Sequence, residues 1–358
     1  MTSNDDDLLA GITELAPRLL TTMEAFEQVQ RNMHPSRLPQ LAEFISPFAT
    51  DLRQAFDTFK TLTFPEHISK FGKHLNEATT YSLRACDGII NSNGDTLAAM
   101  KAMRAQTRAQ ETLYPTANIL TPISQYFLEL SQRDNQGLLE KLNVDRPGEK
   151  IGILNAENER DTRGGFSLYI PEYLDNSQPA PLVIALHGGT GHGRDFMWSW
   201  LREARTRGFM LLSPTSQQDT WSLMGEELDL PFLLRMVEFV AKDFALDRQH
   251  ILLTGMSDGG TYTLLAGLQA ESPFTHLAPF SGVLHPEISM NGNIQYAKDR
   301  DIYLVHGTHD WMFPIETAYM AQAELEAAGA NLTFRPIDEL SHTYARTENP
   351  AVLDWFLG

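Results

Sequence analysis

Up to about residue 143 apolar residues return every three or four positions, whereas from about residue 163 they gather into short β-branched or aliphatic runs separated by amphipathic stretches. The first pattern buries helical stripes against one another; the second requires a sheet covered by helices. In the first region the stripe is clearest in Leu41, Ile45, Phe48, Leu52, Phe56, Phe59 and Leu62, with similar stripes through 8–32, 66–90, 95–113 and 118–142. Pro35, Pro39, Pro65, Asn91-Ser-Asn-Gly94 and Pro115 separate these stripes, while Pro17, Pro47 and Pro122 predict kinks or restarts. The expected organisation is an all-helical N-terminal domain over 1–143, a bundle of about five antiparallel helices, whose stripes could equally pair with a second copy as a homo-oligomer. Residues 144–162, beginning with Val144-Asp-Arg-Pro-Gly-Glu-Lys150, read as a linker and lead-in segment, and 163–358 as an α/β domain.

In that α/β domain the predicted strands are Phe166–Ile170, Leu182–Leu186, Phe209–Leu212, Ile251–Thr254, Leu277–Ser281, Ile302–His306 and Leu332–Pro336. Helices are expected at about 194–206, 231–244, 259–269, 315–328 and 349–357. The alternation implies a mostly parallel sheet with helices on both faces.

Lys and Arg number 28 against 46 Asp and Glu, a net charge of −18. The acidity is uneven: up to residue 150 there are 15 basic and 19 acidic residues, and beyond it 13 and 27. Such a surface repels phosphate backbones and anionic headgroups, which argues against nucleic acid as a partner. No apolar run approaches the roughly 18 residues of a membrane helix, so no integral membrane association is expected. The acidic start, Met1-Thr-Ser-Asn-Asp-Asp-Asp7, is unlike a secretory signal, and a cytoplasmic protein is expected. The lone Cys86 cannot form an internal disulfide and falls on the 66–90 stripe, where it reads as a packed core residue. His34, His67 and His74 lack partners at metal-ligand spacing and read as solvated or capping groups.

The chemistry concentrates around Ile251-Leu-Leu-Thr-Gly-Met-Ser-Asp-Gly-Gly260, a strand, a Gly-x-Ser-x-Gly turn and then an amphipathic helix. A serine on such a turn is lifted above the sheet, and small residues two before and two after let the flanking backbones pass. Ser257 is the candidate nucleophile. A hydroxyl needs a base, usually a histidine oriented by a carboxylate, and in this arrangement acid and base follow the serine from loops after later strands. Asp310 lies in the loop after Ile302–His306, and His342 in a loop before the final helix, so they are the candidate acid and base. His309 then becomes a rim residue, His306 packs at its strand end, and His276 and His285 come too early for the base. Pro181-Leu-Val-Ile-Ala-Leu-His-Gly-Gly-Thr-Gly-His-Gly193 is a buried strand running into a glycine-rich loop that lacks both the P-loop ending and a dinucleotide fingerprint. Backbone N–H groups there can approach a substrate. Gly189, with the N–H of Asp258, is the candidate oxyanion hole. His187 braces that loop or, with Gly188, contacts substrate, and His192 lines the pocket or is exposed.

These residues resemble the α/β-hydrolase superfamily, and within it the phospholipase/carboxylesterase-like and polyhydroxybutyrate-depolymerase-like esterases. The resemblance rests on an ordered set: Leu186-His-Gly-Gly189, Gly255-Met-Ser-Asp-Gly-Gly260, His306-Gly-Thr-His-Asp310 with Phe313-Pro314, and Ser341-His342. It implies hydrolysis of a small-molecule ester through an acyl-enzyme, with no metal or organic cofactor. Trp221 and Trp311 are the aromatic candidates for substrate contact, and Trp198, Trp200, Met224 and Met312 could add apolar wall. Asp258 departs from the uncharged residue often found after such a serine, which leaves the polarity of the pocket open. Two other readings remain: a serine exopeptidase of the same fold, and a scaffold that keeps an inactive hydrolase shell and works through its helices.

Overall fold

The computed structural model describes residues 3–144 and 150–358, and the chain divides into two compact units, Met1–Asn143 and Val144–Gly358. Of the expected linker, residues 145–149 lie outside the described residues. Among the described residues no helix is long and apolar enough to cross a membrane.

The first unit consists of α1 (Ser3–Arg31), α2 (Leu38–Phe59), α3 (Ser69–Ile90), α4 (Thr96–Leu113) and two short helices, α5 (Thr121–Tyr126) and α6 (Gln136–Leu142). Each long helix buries its apolar stripe; in α2 this is Leu41, Ile45, Leu52, Phe56 and Phe59. α3 and α4 meet at Gly88, where an added Cβ would lie 2.8 Å from the Cβ of Ala102. Asp95 caps α4 by accepting the N–H groups of Leu97 (2.8 Å) and Ala98 (3.3 Å), and His34 accepts the N–H of Ser36, as a capping histidine does.

The helical unit departs from expectation in two places. α1 and α2 run through Pro17 and Pro47 without restarting. An interior proline costs roughly 3 kcal/mol, which is offset by burial of Leu15 and Leu19 beside Pro17 and of Ile45 beside Pro47, at about 1.5–3 kcal/mol for each large side chain. The fifth stripe, by contrast, is not one helix. α5 ends at Tyr126, Leu130–Gln132 form a 3₁₀ turn, and Asn135 starts α6 by accepting the N–H of Leu138 at 3.1 Å.

The second unit is built on one sheet of eight strands: β1 (Gly152–Ala156), β2 (Phe166–Ile170), β3 (Ala180–Leu186), β4 (Met210–Pro214), β5 (Leu246–Met256), β6 (His276–Phe280), β7 (Asp301–Gly307) and β8 (Asn331–Ile337). Their order is β1-β2-β4-β3-β5-β6-β7-β8. β1 and β2 join antiparallel, and all pairs from β4 to β8 are parallel. β5 is central: Leu182–Leu186 pair with Ile251–Gly255 on one side, and His276–Phe280 with Leu252–Met256 on the other. That two-sided pairing explains why Ile251–Thr254 is continuously apolar rather than alternating. The edge strand β1 falls in the stretch expected as lead-in; its residues are only half-buried, so no strong pattern marks it. Helices α7 (Gly193–Phe196), α8 (Leu201–Arg207), α9 (Asp229–Asp243), α10 (Asp258–Gly267), α11 (Pro286–Met290), α12 (Ile315–Ala327) and α13 (Asn349–Leu357) connect and follow the strands.

Candidate active site

β5 passes into α10 through Ser257, whose backbone stands at φ 56°, ψ −119°, a conformation that L-residues seldom adopt and that costs roughly 1–3 kcal/mol. The two flanking glycines make it feasible. A Cβ on Gly255 would lie 2.5 Å from the carbonyl oxygen of Gly259, and one on Gly259 would lie 2.5 Å from the carbonyl oxygens of Leu186 and His187. Close passage of β3, β5 and α10 therefore requires glycine at both positions. The N–H of Ser257 donates to Phe280 O at 2.9 Å, which ties the turn to the end of β6.

The loops after β7 and β8 bring Asp310 and His342 to the same edge. His309 N–H donates to Leu340 O (2.9 Å) and Thr308 N–H to Ile337 O (3.0 Å), so the two loops are bonded together. His342 Nδ1 lies 2.8 Å from Asp310 Oδ2, and its Nε2 lies 3.0 Å from Ser257 Oγ. With the proton on Nδ1, that nitrogen donates to the carboxylate and Nε2 accepts from the hydroxyl. The other oxygen of Asp310 accepts the N–H groups of Met312 (3.0 Å) and Phe313 (2.8 Å). Burial alone would raise the Asp310 pKa, but the hydrogen bonds from His342 and Phe313, with the charges of His342 and His306, outweigh it and hold the carboxyl below its ordinary range.

His306 sits fully buried at the end of β7, where its Nε2–H donates to Phe313 O at 2.8 Å. Desolvation lowers its pKa, opposed by the hydrogen bond to Phe313 O and by the charge of Asp310. Phe313 in turn sets its ring edge-on to His342 at 5.3 Å. His309 is exposed on the rim.

The glycine-rich loop after β3 borders the serine turn. A Cβ on Gly188 would lie 3.4 Å from Ser257 Cβ, and one on Gly189 would lie 2.7 Å from Asp258 Oδ2. Asp258 is the first residue of α10, so its N–H belongs to the first turn, whose donors have no acceptor within the helix. The loop is pinned by Gly191 N–H to Gly188 O (2.9 Å) and Thr190 N–H to Asp219 O (2.8 Å). Arg163, which no motif marks, holds it from behind: Nη1 donates to Gly191 O (2.7 Å), Nε to Ser216 O (3.2 Å) and Nη2 to Ser216 Oγ. Burial lowers the pKa of this guanidinium, opposed by Asp219 and Asp229.

His187 is corrected as a substrate contact. Its ring is buried, Nδ1–H donates to Gly188 O (2.7 Å) and Nε2 accepts Ser216 N–H (3.1 Å), leaving neither nitrogen for a ligand. It braces the loop. His192 likewise is a buried cap: Nδ1 accepts the N–H of Arg194 at 3.2 Å, and Nε2 lies 3.1 Å from Glu159 O.

Beside the turn lies a cavity of about 900 Å³ lined by residues 218–226 together with Asp258, Thr261, Val283, His285 and Phe313. Trp221 is part of its wall, fixed by Nε1–H donation to His187 O (2.7 Å) and by stacking on Tyr262. Asp229 shapes the lining loop by accepting from Ser222 N–H (2.7 Å), Ser222 O–H (2.8 Å) and Gln217 N–H (2.8 Å). Trp311, about half exposed, is not among the lining residues, nor are the buried Trp198 and Trp200. His285, which precedes Asp310 in the chain and is set aside as a base on that ground, stands in this wall. Among the described residues no three His, Cys, Asp or Glu side chains stand together as a metal site.

Residues 222–355, a span that contains Ser257, Asp310 and His342, match the phospholipase/carboxylesterase family. Over 163 residues the chain is 26% identical to a bifunctional acetylxylan esterase/xylanase of Neocallimastix patriciarum, covering 44% of this chain and 23% of that protein. Over 143 residues it is 27% identical to an acyl-protein thioesterase 1 homologue of Dictyostelium discoideum, covering 39% of this chain and 62% of that one. The chain thus spans less than two thirds of either relative. Among solved structures, a thermostable esterase aligns over 57% of this chain and 62% of its own, at 19% identity and a TM-score of 0.47. The unit Val144–Gly358 thus has the α/β-hydrolase fold, and its residues 222–355 are similar to the phospholipase/carboxylesterase family.

Proposed function

We propose that this protein is a serine hydrolase that cleaves carboxylic esters, with Ser257 as nucleophile, His342 as general base and acid, and Asp310 as the group that orients and stabilises the imidazole. The single observation that carries this reading is the hydrogen-bonded line from Asp310 Oδ2 through His342 to Ser257 Oγ, with steps of 2.8 and 3.0 Å. Three side chains distant in sequence meet at hydrogen-bond length, and a proton on His342 Nδ1 gives the tautomer that base catalysis needs.

In the reaction, Ser257 Oγ attacks the ester carbonyl as its proton passes to His342 Nε2. The carbonyl electrons move onto oxygen, and the N–H groups of Gly189 and Asp258 stabilise that oxyanion, each donor being worth roughly 3–4 kcal/mol in comparable sites. Collapse breaks the bond to the alkoxy oxygen, which leaves as the alcohol with the proton from His342. Water then attacks the acyl-enzyme, giving its proton to His342, and the acid departs as Ser257 recovers its hydrogen. The negative charge of Asp310, kept available at neutral pH by its depressed pKa, favours the imidazolium formed in both halves.

A fluorophosphonate probe should label Ser257 stoichiometrically, and p-nitrophenyl acetate turnover should fall on the order of 10⁶-fold in Ser257→Ala or His342→Ala. Labelling at another residue, or turnover that survives Ser257→Ala, overturns the proposal. Turnover of aminoacyl p-nitroanilides in preference to esters would favour the exopeptidase reading, and a folded but unlabelled protein the scaffold.

A further inference from the structure

The proposed chemistry uses the backbone of Asp258 and leaves its carboxylate without a task. That side chain is half-buried, and its Oδ2 accepts a hydrogen bond from Thr220 Oγ1 at 2.6 Å. It stands next to the glycine loop, since a Cβ on Gly189 would lie 2.7 Å from the same oxygen. It also lines the cavity of about 900 Å³, whose described lining contains no lysine or arginine and includes the aromatic rings of Trp221 and Phe313. A carboxylate accepts several hydrogen bonds, so the one from Thr220 does not saturate it.

A fixed negative charge in this position has two consequences. It opposes any substrate that brings a phosphate or carboxylate into the cavity, and it adds to the oxyanion a like charge that a cation on the substrate would offset. Partial burial limits screening by salt compared with an exposed carboxylate. The partly exposed ring of Phe313 beside this anion favours an alkylammonium, which is weakly hydrated and binds over π-systems, whereas Trp221 is buried against His187 and Tyr262 and supplies apolar wall.

We infer that Asp258 determines the specificity of this cavity by selecting esters that carry an ammonium group on the portion held there and by disfavouring anionic esters. The inference rests on the reading of Ser257 as the nucleophile. Asp219 and Glu226, on the exposed part of the lining, reinforce the sign, with Asp219 balanced in part by the charge of Arg163.

The test is kcat/KM for three thioacetates of matched size: S-acetylthiocholine, its uncharged isostere 3,3-dimethylbutyl thioacetate, and anionic S-acetyl-3-mercaptopropanoate. At low ionic strength the cationic ester should exceed the neutral one by about fivefold or more, with the anionic ester below both, as expected for one partly screened ion pair. The preference should shrink as salt is added and collapse to within about twofold in Asp258→Asn, which keeps the backbone N–H. Tetramethylammonium should inhibit neutral-ester turnover competitively in the wild-type protein, a measurement that holds even if the variant fails to fold. A cationic-to-neutral ratio near one with Ser257 still labelled by an uncharged fluorophosphonate overturns this inference alone, as does a preference that survives in Asp258→Asn. Absence of both labelling and turnover of all three esters overturns the serine reading, and this inference falls with it.

Discussion

In the helical unit, buried polar side chains bond to backbone, as Thr79 to Leu75 O at 2.7 Å and Gln106 to Met23 O at 3.0 Å, or to one another between helices, as Gln110 to Tyr126 at 3.2 Å and Tyr126 to Glu27 at 3.0 Å. In the sheet unit they bond to one another across loops from different strands, as in Asp310 to His342 to Ser257. Bonds to helix backbone or between helices stabilise packing, and such pairs are interchangeable with apolar groups of similar shape. A line that sets an imidazole between a carboxylate and a hydroxyl goes further; it fixes orientation and protonation, which is what acid–base chemistry needs. The contrast teaches that buried polar residues mark a site by what they bond to, not by being buried.

That contrast can be broken most directly at Asp310. Asp310→Asn should lower kcat by about 10⁴-fold, because the imidazole loses its tautomeric lock and its counter-charge. The same variant tests linkage. A carboxyl with a depressed folded pKa contributes stability that is present above its unfolded value and lost as pH falls through the folded one. The wild-type urea midpoint should therefore fall on acidification below the ordinary carboxylate range by more than that of Asp310→Asn; equal slopes would show that the buried carboxylate is not linked to folding.

At the next scale, Leu52→Ala removes a fully buried side chain from α2 and should cost about 2–5 kcal/mol, read by far-ultraviolet circular dichroism in urea. No titrating group is touched, so this loss should be the same at pH 8 and pH 5. A loss that changes with pH would erase the distinction between the units.

The smallest expected effect is at Cys86. Burial, with the nearby Asp87 charge adding to it, pushes its thiol up to about 12, leaving almost no thiolate at pH 8. Iodoacetamide should leave the folded protein unmodified under conditions in which a fluorophosphonate labels Ser257. Alkylation at a rate typical of free thiols would place a second nucleophile in the helical unit.

How far the sequence can be read varies with the kind of signal. β2 is legible to the residue, and the core of β5 nearly so, because a short apolar or aromatic run bounded by turn residues is too short for a buried helix. β1 is not, since a half-exposed edge strand carries little pattern. Pro17 and Pro47 do not restart their helices; a local rule about proline omits the burial on either side. Within the site, chain order and loop position nominate Ser257, Asp310 and His342, while Arg163 and His285 have no spacing that could announce them.

Residue order alone therefore specifies the two folding patterns, the glycine-bracketed serine and the loops that carry the acid and the histidine, since periodicity and backbone sterics are local properties. Folding decides the rest: that His187 is spent on Gly188 and Ser216, that Arg163 pins the glycine loop, and that Asp258 turns its carboxylate into a cavity beside Trp221 and Phe313. Those outcomes depend on which groups separate strands bring within about 3 Å of one another, the distance at which hydrogen bonds form and at which a charge acts most strongly.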